Sequence, residues 1–118
     1  MKDFQFSELD IKIIKKNSEI TMKWLGKSRD KEVSIMLNDY LKEAAKELTN
    51  ESIIIDLLEL QSISSSTFIP IVDFINKLER ANIKGQLIFN KSSQWQSAIF
   101  KMIENVTKNH KNISVVWK

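Results

Sequence analysis

Ile53-Ile54-Ile55-Asp56-Leu57-Leu58-Glu59-Leu60-Gln61-Ser62-Ile63-Ser64-Ser65-Ser66-Thr67-Phe68 is the stretch on which the fold turns. Its first six residues are an apolar, β-branched run without alternation, which predicts a strand at 53–58, buried on both faces and central in a sheet. The stretch closes on four hydroxyl residues in a row. Beyond them Phe68, Ile71, Val72, Ile75 and Leu78 recur at three- and four-residue spacing, predicting a helix from Thr67 to Ala81. Pro70 has no N–H and is tolerated only in a first helical turn, so it sets the helix start near Ser66 or Thr67. Ser64, Ser65 and Ser66 then belong to the turn and cap, with three hydroxyls projecting into solvent from the mouth of a helix.

Downstream, Asn82-Ile83-Lys84-Gly85 is a turn leading into Gln86-Leu87-Ile88-Phe89, a second buried strand. A helix over roughly Ser93–Thr107 follows, with Ile99, Met102, Ile103 and Val106 on one face, and Ile113–Trp117 is a last strand. Upstream, Val33, Met36, Leu37, Tyr40, Leu41, Ala44, Ala45 and Leu48 mark an amphipathic helix over roughly Lys31–Leu48, with Asp30 as its N-cap. Before Gly26 the period is two: Ile20, Met22 and Trp24 alternate with polar residues, and Lys16-Asn17-Ser18 joins them to Ile11, Ile13 and Ile14 in an antiparallel hairpin. Two strand–helix–strand crossovers require parallel pairing. The expected architecture is an α/β mixed sheet of about five strands with a parallel core, an N-terminal antiparallel hairpin and three or four helices, in a single domain over 1–118.

The 118 residues hold 18 Lys+Arg against 15 Asp+Glu, so the net charge of +3 is a thin excess. The basic residues Lys12, Lys15 and Lys16, and Lys108, Lys111 and Lys118, are too sparse for a phosphate-tracking stripe, and no nucleic-acid partner is expected. No apolar run approaches the ~18 residues of a membrane span and the residues after Met1 do not read as an apolar, small-residue leader, so neither a membrane span nor a signal peptide is expected. The absence of cysteine removes disulfides and thiolate chemistry and suits a cytoplasmic location.

Gly26 and Gly85 are the only glycines and lie far apart, so there is no glycine-rich phosphate loop. His110, between Asn109 and Lys111 in a polar turn, has no second ligand for a metal and is expected in solvent. Glu43 with Glu47 and Asp73 with Glu79 fall among lysines as solvated or weakly paired carboxylates. Asp56 reads as structural, satisfying backbone N–H groups near the next loop. Nothing here supports an enzyme, and no cofactor is expected.

The hydroxyl cluster remains. At a helix N-terminus a serine can cap the unpaired N–H groups, and a phosphate on it would meet the positive end of the helix dipole. Serine and threonine are also ordinary cap residues, and the local residues alone favour that plainer role.

The pattern from Ile53 to Phe68 resembles the STAS domain of anti-sigma factor antagonists, in which a buried strand ending in Asp-Leu is followed, about ten residues on, by Asp-Ser-Ser-Gly-Leu or a near variant. Matched in order, Ser64 stands at the acidic or amide position, Ser65 at the usual phosphoacceptor, Ser66 at the second hydroxyl, Thr67 at the glycine and Phe68 at the leucine. Element order from Ile11 to Trp117 is similar as well. Asn90 and Trp95-Gln96 resemble a feature of short stand-alone bacterial STAS-like regulators.

The resemblance implies partner switching: an unphosphorylated domain binds a serine kinase of anti-sigma type or another regulated enzyme, and kinase and phosphatase reset the choice. Ser65 is then the acceptor, with Ser66 and Ser64 behind it. Ser64, Ser66, Thr67, Phe68 and Asp73 contribute to the docking surface. Trp95 is either an interface anchor or a side chain packed at the sheet edge. The alternative is a STAS-type scaffold or ligand-sensing module whose serines only cap the helix.

Overall fold

The computed structural model describes all residues, Met1–Lys118. The chain runs β1 (Phe4–Phe6), β2 (Leu9–Lys16), β3 (Glu19–Ser28), α1 (Lys31–Glu47), β4 (Ser52–Ile63), α2 (Ser65–Arg80), β5 (Gly85–Phe89), α3 (Gln94–Thr107) and β6 (Ile113–Trp117). The six strands lie side by side in sequence order. β1, β2 and β3 pair antiparallel, with Asn17 at φ 58° in the two-residue turn between Lys16 and Glu19, while β3 to β6 pair parallel. Asp30 caps α1 by accepting the Val33 N–H at 3.0 Å. No helix is long and apolar enough to cross a membrane.

Three crossovers in succession each add the next parallel strand on the same side, so a common right-handedness puts all three helices on one face of the sheet. The contacts agree. Registers place Phe4, Ile11, Trp24, Met22, Ile55, Leu87, Gly85 and Phe89 on one face. On that face Phe4 meets Tyr40 of α1, Gly85 lies against Leu78 of α2, and Phe100 of α3 packs on Phe89 and Trp117. The core of 23 buried residues is the layer between this face and the helices.

The uncovered face explains one departure from expectation. Ile53, Ile55 and Leu57 are buried under the helices, whereas Ile54, Asp56 and Leu58 are only half-buried, shielded by their neighbours in the sheet. β4 is therefore buried on one face, not both. It also runs on to Ile63, past the end of the apolar run. A further short strand, β1, brings the sheet to six. In α3 the inward positions are Gln96, Ile99, Phe100, Ile103 and Thr107, while Met102 is 48% exposed, a shift of the face by one position that lets Phe100 reach the sheet.

The start of α2 differs too. Ser65, not Thr67, is its first residue and Ser64 its N-cap, which puts Pro70 in the second turn. The ring nitrogen of Pro70 offers no N–H to the Ser66 carbonyl, one helical bond forgone. Pro70 is itself buried, and it lines a crevice with Asn38 and Leu41 of α1, so packing of the two helices compensates.

Candidate functional site

β4 carries the site to the far end of the sheet. β5 pairs with it only as far as Asp56 opposite Ile88. Beyond that, β4 follows β3 alone, Leu25 to Ser28 against Glu59 to Ile63, and twice carries an extra residue relative to its partner. At the first bulge Asp56 Oδ1 accepts the Leu58 N–H at 3.0 Å, the structural role expected of it. On the side that β5 leaves open, α3 supplies what a strand would have supplied. The buried Gln96 donates through Nε2 to the carbonyls of Leu57 (2.8 Å) and Leu60 (3.2 Å) and accepts the Asn90 N–H through Oε1 (2.8 Å). Asn90 Nδ2 donates to the Leu58 carbonyl at 3.1 Å. The resemblance marked Asn90 and Trp95-Gln96. In the structure Asn90 and Gln96 clamp the unpaired half of β4, and Trp95 is half-buried against the core.

At the end of this strand the four hydroxyl residues separate into three environments. Ser65 is exposed and its hydroxyl makes no hydrogen bond within the protein; Ser64 and Ser66 are half-buried; Thr67 is fully buried. The expectation of three hydroxyls projecting into solvent thus holds for Ser65 alone. Nor does Ser64 cap the helix with its side chain. Its hydroxyl instead contacts Ser66 Oγ at 2.9 Å and Thr67 Oγ1 at 3.2 Å. Ser34 Oγ, in α1, contacts Ser66 Oγ at 3.0 Å and Thr67 Oγ1 at 3.1 Å, and Ser28 Oγ, at the end of β3, contacts Thr67 Oγ1. The backbone is tied in as well, Ser64 N–H donating to the Ser28 carbonyl at 2.7 Å.

Ser64, Ser66, Ser34 and Thr67 therefore form a closed ring, with Ser28 attached at Thr67. Each hydroxyl has a single hydrogen to donate. For all five contacts to be hydrogen bonds at once, the ring must run in one direction and Ser28 must donate to Thr67. Every hydrogen in the group is then committed, which is how buried hydroxyls are normally accommodated. The ring also joins the early turns of α1 and α2 through Ser34, and Ser65 itself stands at the positive end of α2. The first turn of α2 has no acidic residue.

Thr67, sealed at 0% exposure, is removed from the docking surface expected of it, because its hydroxyl is turned inward to Ser28 of β3 and Ser34 of α1. Phe68 is half-buried and Asp73 exposed. Trp95, on α3, shares none of the cluster's hydrogen bonds. Sequence reasoning missed Ser28 and Ser34. The available signal for Ser34 was a hydroxyl on the inward face of α1, among Val33, Leu37 and Leu41. It missed as well two apolar residues displayed on these helices: Ile69 (62% exposed), one turn after Ser65 on α2, and Ile35 (56%) on α1.

Away from the site, two expectations about polar residues change. His110 is half-buried with its Nδ1 shut off from solvent and unpartnered, because the α3–β6 turn folds back on α2. Glu79 is not a loosely solvated carboxylate. It accepts the backbone N–H groups of Lys111 (3.0 Å) and Asn112 (2.8 Å), which hold its carboxyl below the usual range.

No protein-family model matches the chain, and no curated protein matches it in sequence. Solved structures do match. The anti-sigma factor antagonist SpoIIAA in its unphosphorylated form superposes with a TM-score of 0.59 over 78% of this chain and 82% of that one, at 13% identity. With a six-stranded sheet, an antiparallel N-terminal part and three helices on the parallel remainder, the chain has the STAS fold seen in that anti-sigma factor antagonist.

Proposed function

We propose that this protein is a phosphorylation-controlled regulator of the anti-sigma factor antagonist type, with Ser65 as the phosphoacceptor, and that it acts by changing protein partners rather than by catalysis. The observation that carries this reading is the isolation of Ser65: among the hydroxyls around the mouth of α2, it alone is exposed and free of hydrogen bonds. The shared fold with an antagonist studied in an unphosphorylated form supports it.

A phosphate on Ser65 adds roughly −1.5 to −2 charges at the N-terminus of α2, whose dipole and unpaired N–H groups favour it. The same charge beside Ile69 and Phe68 spoils an apolar contact with a partner that had packed against the neutral serine. In this reading the docking surface comprises Ser65, Phe68, Ile69 and Asp73, and the partners are a serine kinase of anti-sigma type, a phosphatase and a regulated target.

The test is incubation with a candidate serine kinase and ATP, followed by intact-mass measurement and site mapping. One phosphate on Ser65, absent from Ser65→Ala, is the expected result. Phosphate elsewhere, or none with any serine kinase of the same cell, overturns it. A second reading, a ligand-sensing module, draws on a polar cleft of about 750 Å³ at the opposite end of the sheet, lined by Ser18, Asn50, Glu51, Asn82 and Lys84 among others. Native mass spectrometry of the purified protein, showing a bound small molecule, would favour it.

A further inference from the structure

We propose that Ser34 of α1 is a positioning residue that singles out Ser65 by holding Ser66 inward. This deepens the reading of Ser65 as acceptor and rests on it for its consequence, though not for its geometry. Three serines in a row present a specificity problem. A modifying enzyme working on a flexible segment would meet three similar hydroxyls within a few ångströms. The fold resolves it by sequestering two of them.

Ser64 is tied to Ser66 at 2.9 Å and to Thr67 at 3.2 Å, but from within the segment Ser66 is held by Ser64 alone and can swing outward about that single contact. What keeps it in place comes from outside the segment. Ser34 reaches Ser66 at 3.0 Å and Thr67 at 3.1 Å, and is itself 6% exposed, so it has no alternative partner in water. Removing its hydroxyl opens two of the four sides of the ring and leaves Ser66 and Thr67 one hydrogen-bond partner short. Thr67 retains Ser28 and Ser64. Ser66, half-buried at the rim, keeps only Ser64 and gains most by turning to solvent. Loss of Ser34 therefore exposes Ser66 selectively and leaves Ser65 as it was.

The chain has no cysteine, so a single introduced thiol reports the accessibility of one γ position. Ser65→Cys and Ser66→Cys, each with and without Ser34→Ala, are titrated with a maleimide, and rates are corrected for thiol pKa through their pH dependence. We expect the thiol at 66 to react about tenfold more slowly than that at 65. Ser34→Ala should accelerate it severalfold without changing the rate at 65, and Ser34→Thr should restore the slow rate. Equal rates at the two positions, or a rate at 66 indifferent to Ser34, overturn the proposal.

Because a thiol is a weaker donor than a hydroxyl, nuclear magnetic resonance of the otherwise unaltered chain provides a second measurement. Slowly exchanging hydroxyl protons on Ser28 and Thr67, with the Ser66 rotamer released by Ser34→Ala, are expected. A Ser66 rotamer that does not respond overturns it. With a competent kinase, Ser34→Ala should also spread phosphate from Ser65 onto Ser66 but not onto Ser64, whereas a generally loosened segment would take phosphate at both. Protected hydroxyls in a chain that no kinase modifies would leave the ring intact and refute the acceptor role instead.

Discussion

Gln96 on α3 donates to the main-chain oxygen of Leu57 on β4 at 2.8 Å, at the point where β5 stops being β4's neighbour. A side chain thus takes over from a strand, and the second half of β4, which delivers Ser64 to the helix mouth, is held by it.

Replacing Gln96 with Ala or Leu strands the Leu57 and Leu60 carbonyls and the Asn90 N–H in a buried site. The expected loss is about 2–4 kcal/mol of unfolding free energy by urea denaturation, from unsatisfied groups of about 1–3 kcal/mol each that relax in part. Asn90→Ala, at a half-buried site, should cost less, about 1 kcal/mol. A Gln96 variant as stable as the parent would show that the clamp is incidental.

Gly26 sits in β3 at φ 87°, and a Cβ there would lie 2.0 Å from the Glu8 carbonyl oxygen. Both the backbone conformation and the neighbouring main chain refuse a side chain, so Gly26→Ala should cost more than about 2 kcal/mol. Gly85→Ala meets Ile113 Cδ1 at 3.2 Å, a movable side-chain end, and should be milder. Thermal melts of the two variants, side by side, give the ranking.

Glu79 ties the end of α2 to the start of β6 through two backbone N–H groups, and these lower its pKa. A depressed carboxylate stabilises the fold fully above its unfolded pKa of about 4.3, and that contribution fades as pH falls through the folded value. The urea midpoint of the parent should therefore drop on acidification below about pH 5 more steeply than that of Glu79→Gln. Parallel slopes would remove Glu79 from the acid response.

Tyr40 is the single tyrosine, and its hydroxyl donates to the Lys2 carbonyl. Burial first, then the carboxylates of Asp3 and Glu47, push its ionisation upward. The unfolded phenol ionises near pH 10, so stability is lost as pH rises above about 10, where only the unfolded chain can deprotonate. Tyrosinate absorbance should stay flat in the folded protein and rise together with the loss of helical circular dichroism. A smooth titration near pH 10 in folded protein would contradict the buried geometry.

The hairpin, the three helices and the parallel strands were legible because period two and period 3.6 leave different marks, as Ile20-Met22-Trp24 and Val33-Leu37-Leu41-Ala44 do. β1 was not, since Phe4–Phe6 is too short to show a period. Nor was the second half of β4: Glu59, Gln61 and Ser62 look like a loop, and only pairing with Leu25–Ser28 and the Gln96 clamp keep them extended. The proline argument misplaced the start of α2 because it weighed the lost N–H at Pro70 without the α1 packing that offsets it.

By itself the sequence determined that a row of hydroxyls stands where a central strand passes into a helix, because apolar periodicity and turn chemistry are local properties of the chain. Which of those hydroxyls faces water was decided only by the tertiary structure. Ser28 and Ser34, some thirty or more residues from the cluster along the chain, must be carried to it by β3 and α1 before the ring that holds Ser66 and Thr67 inward can close. A hydrogen bond between such distant residues leaves no trace in the spacing of either.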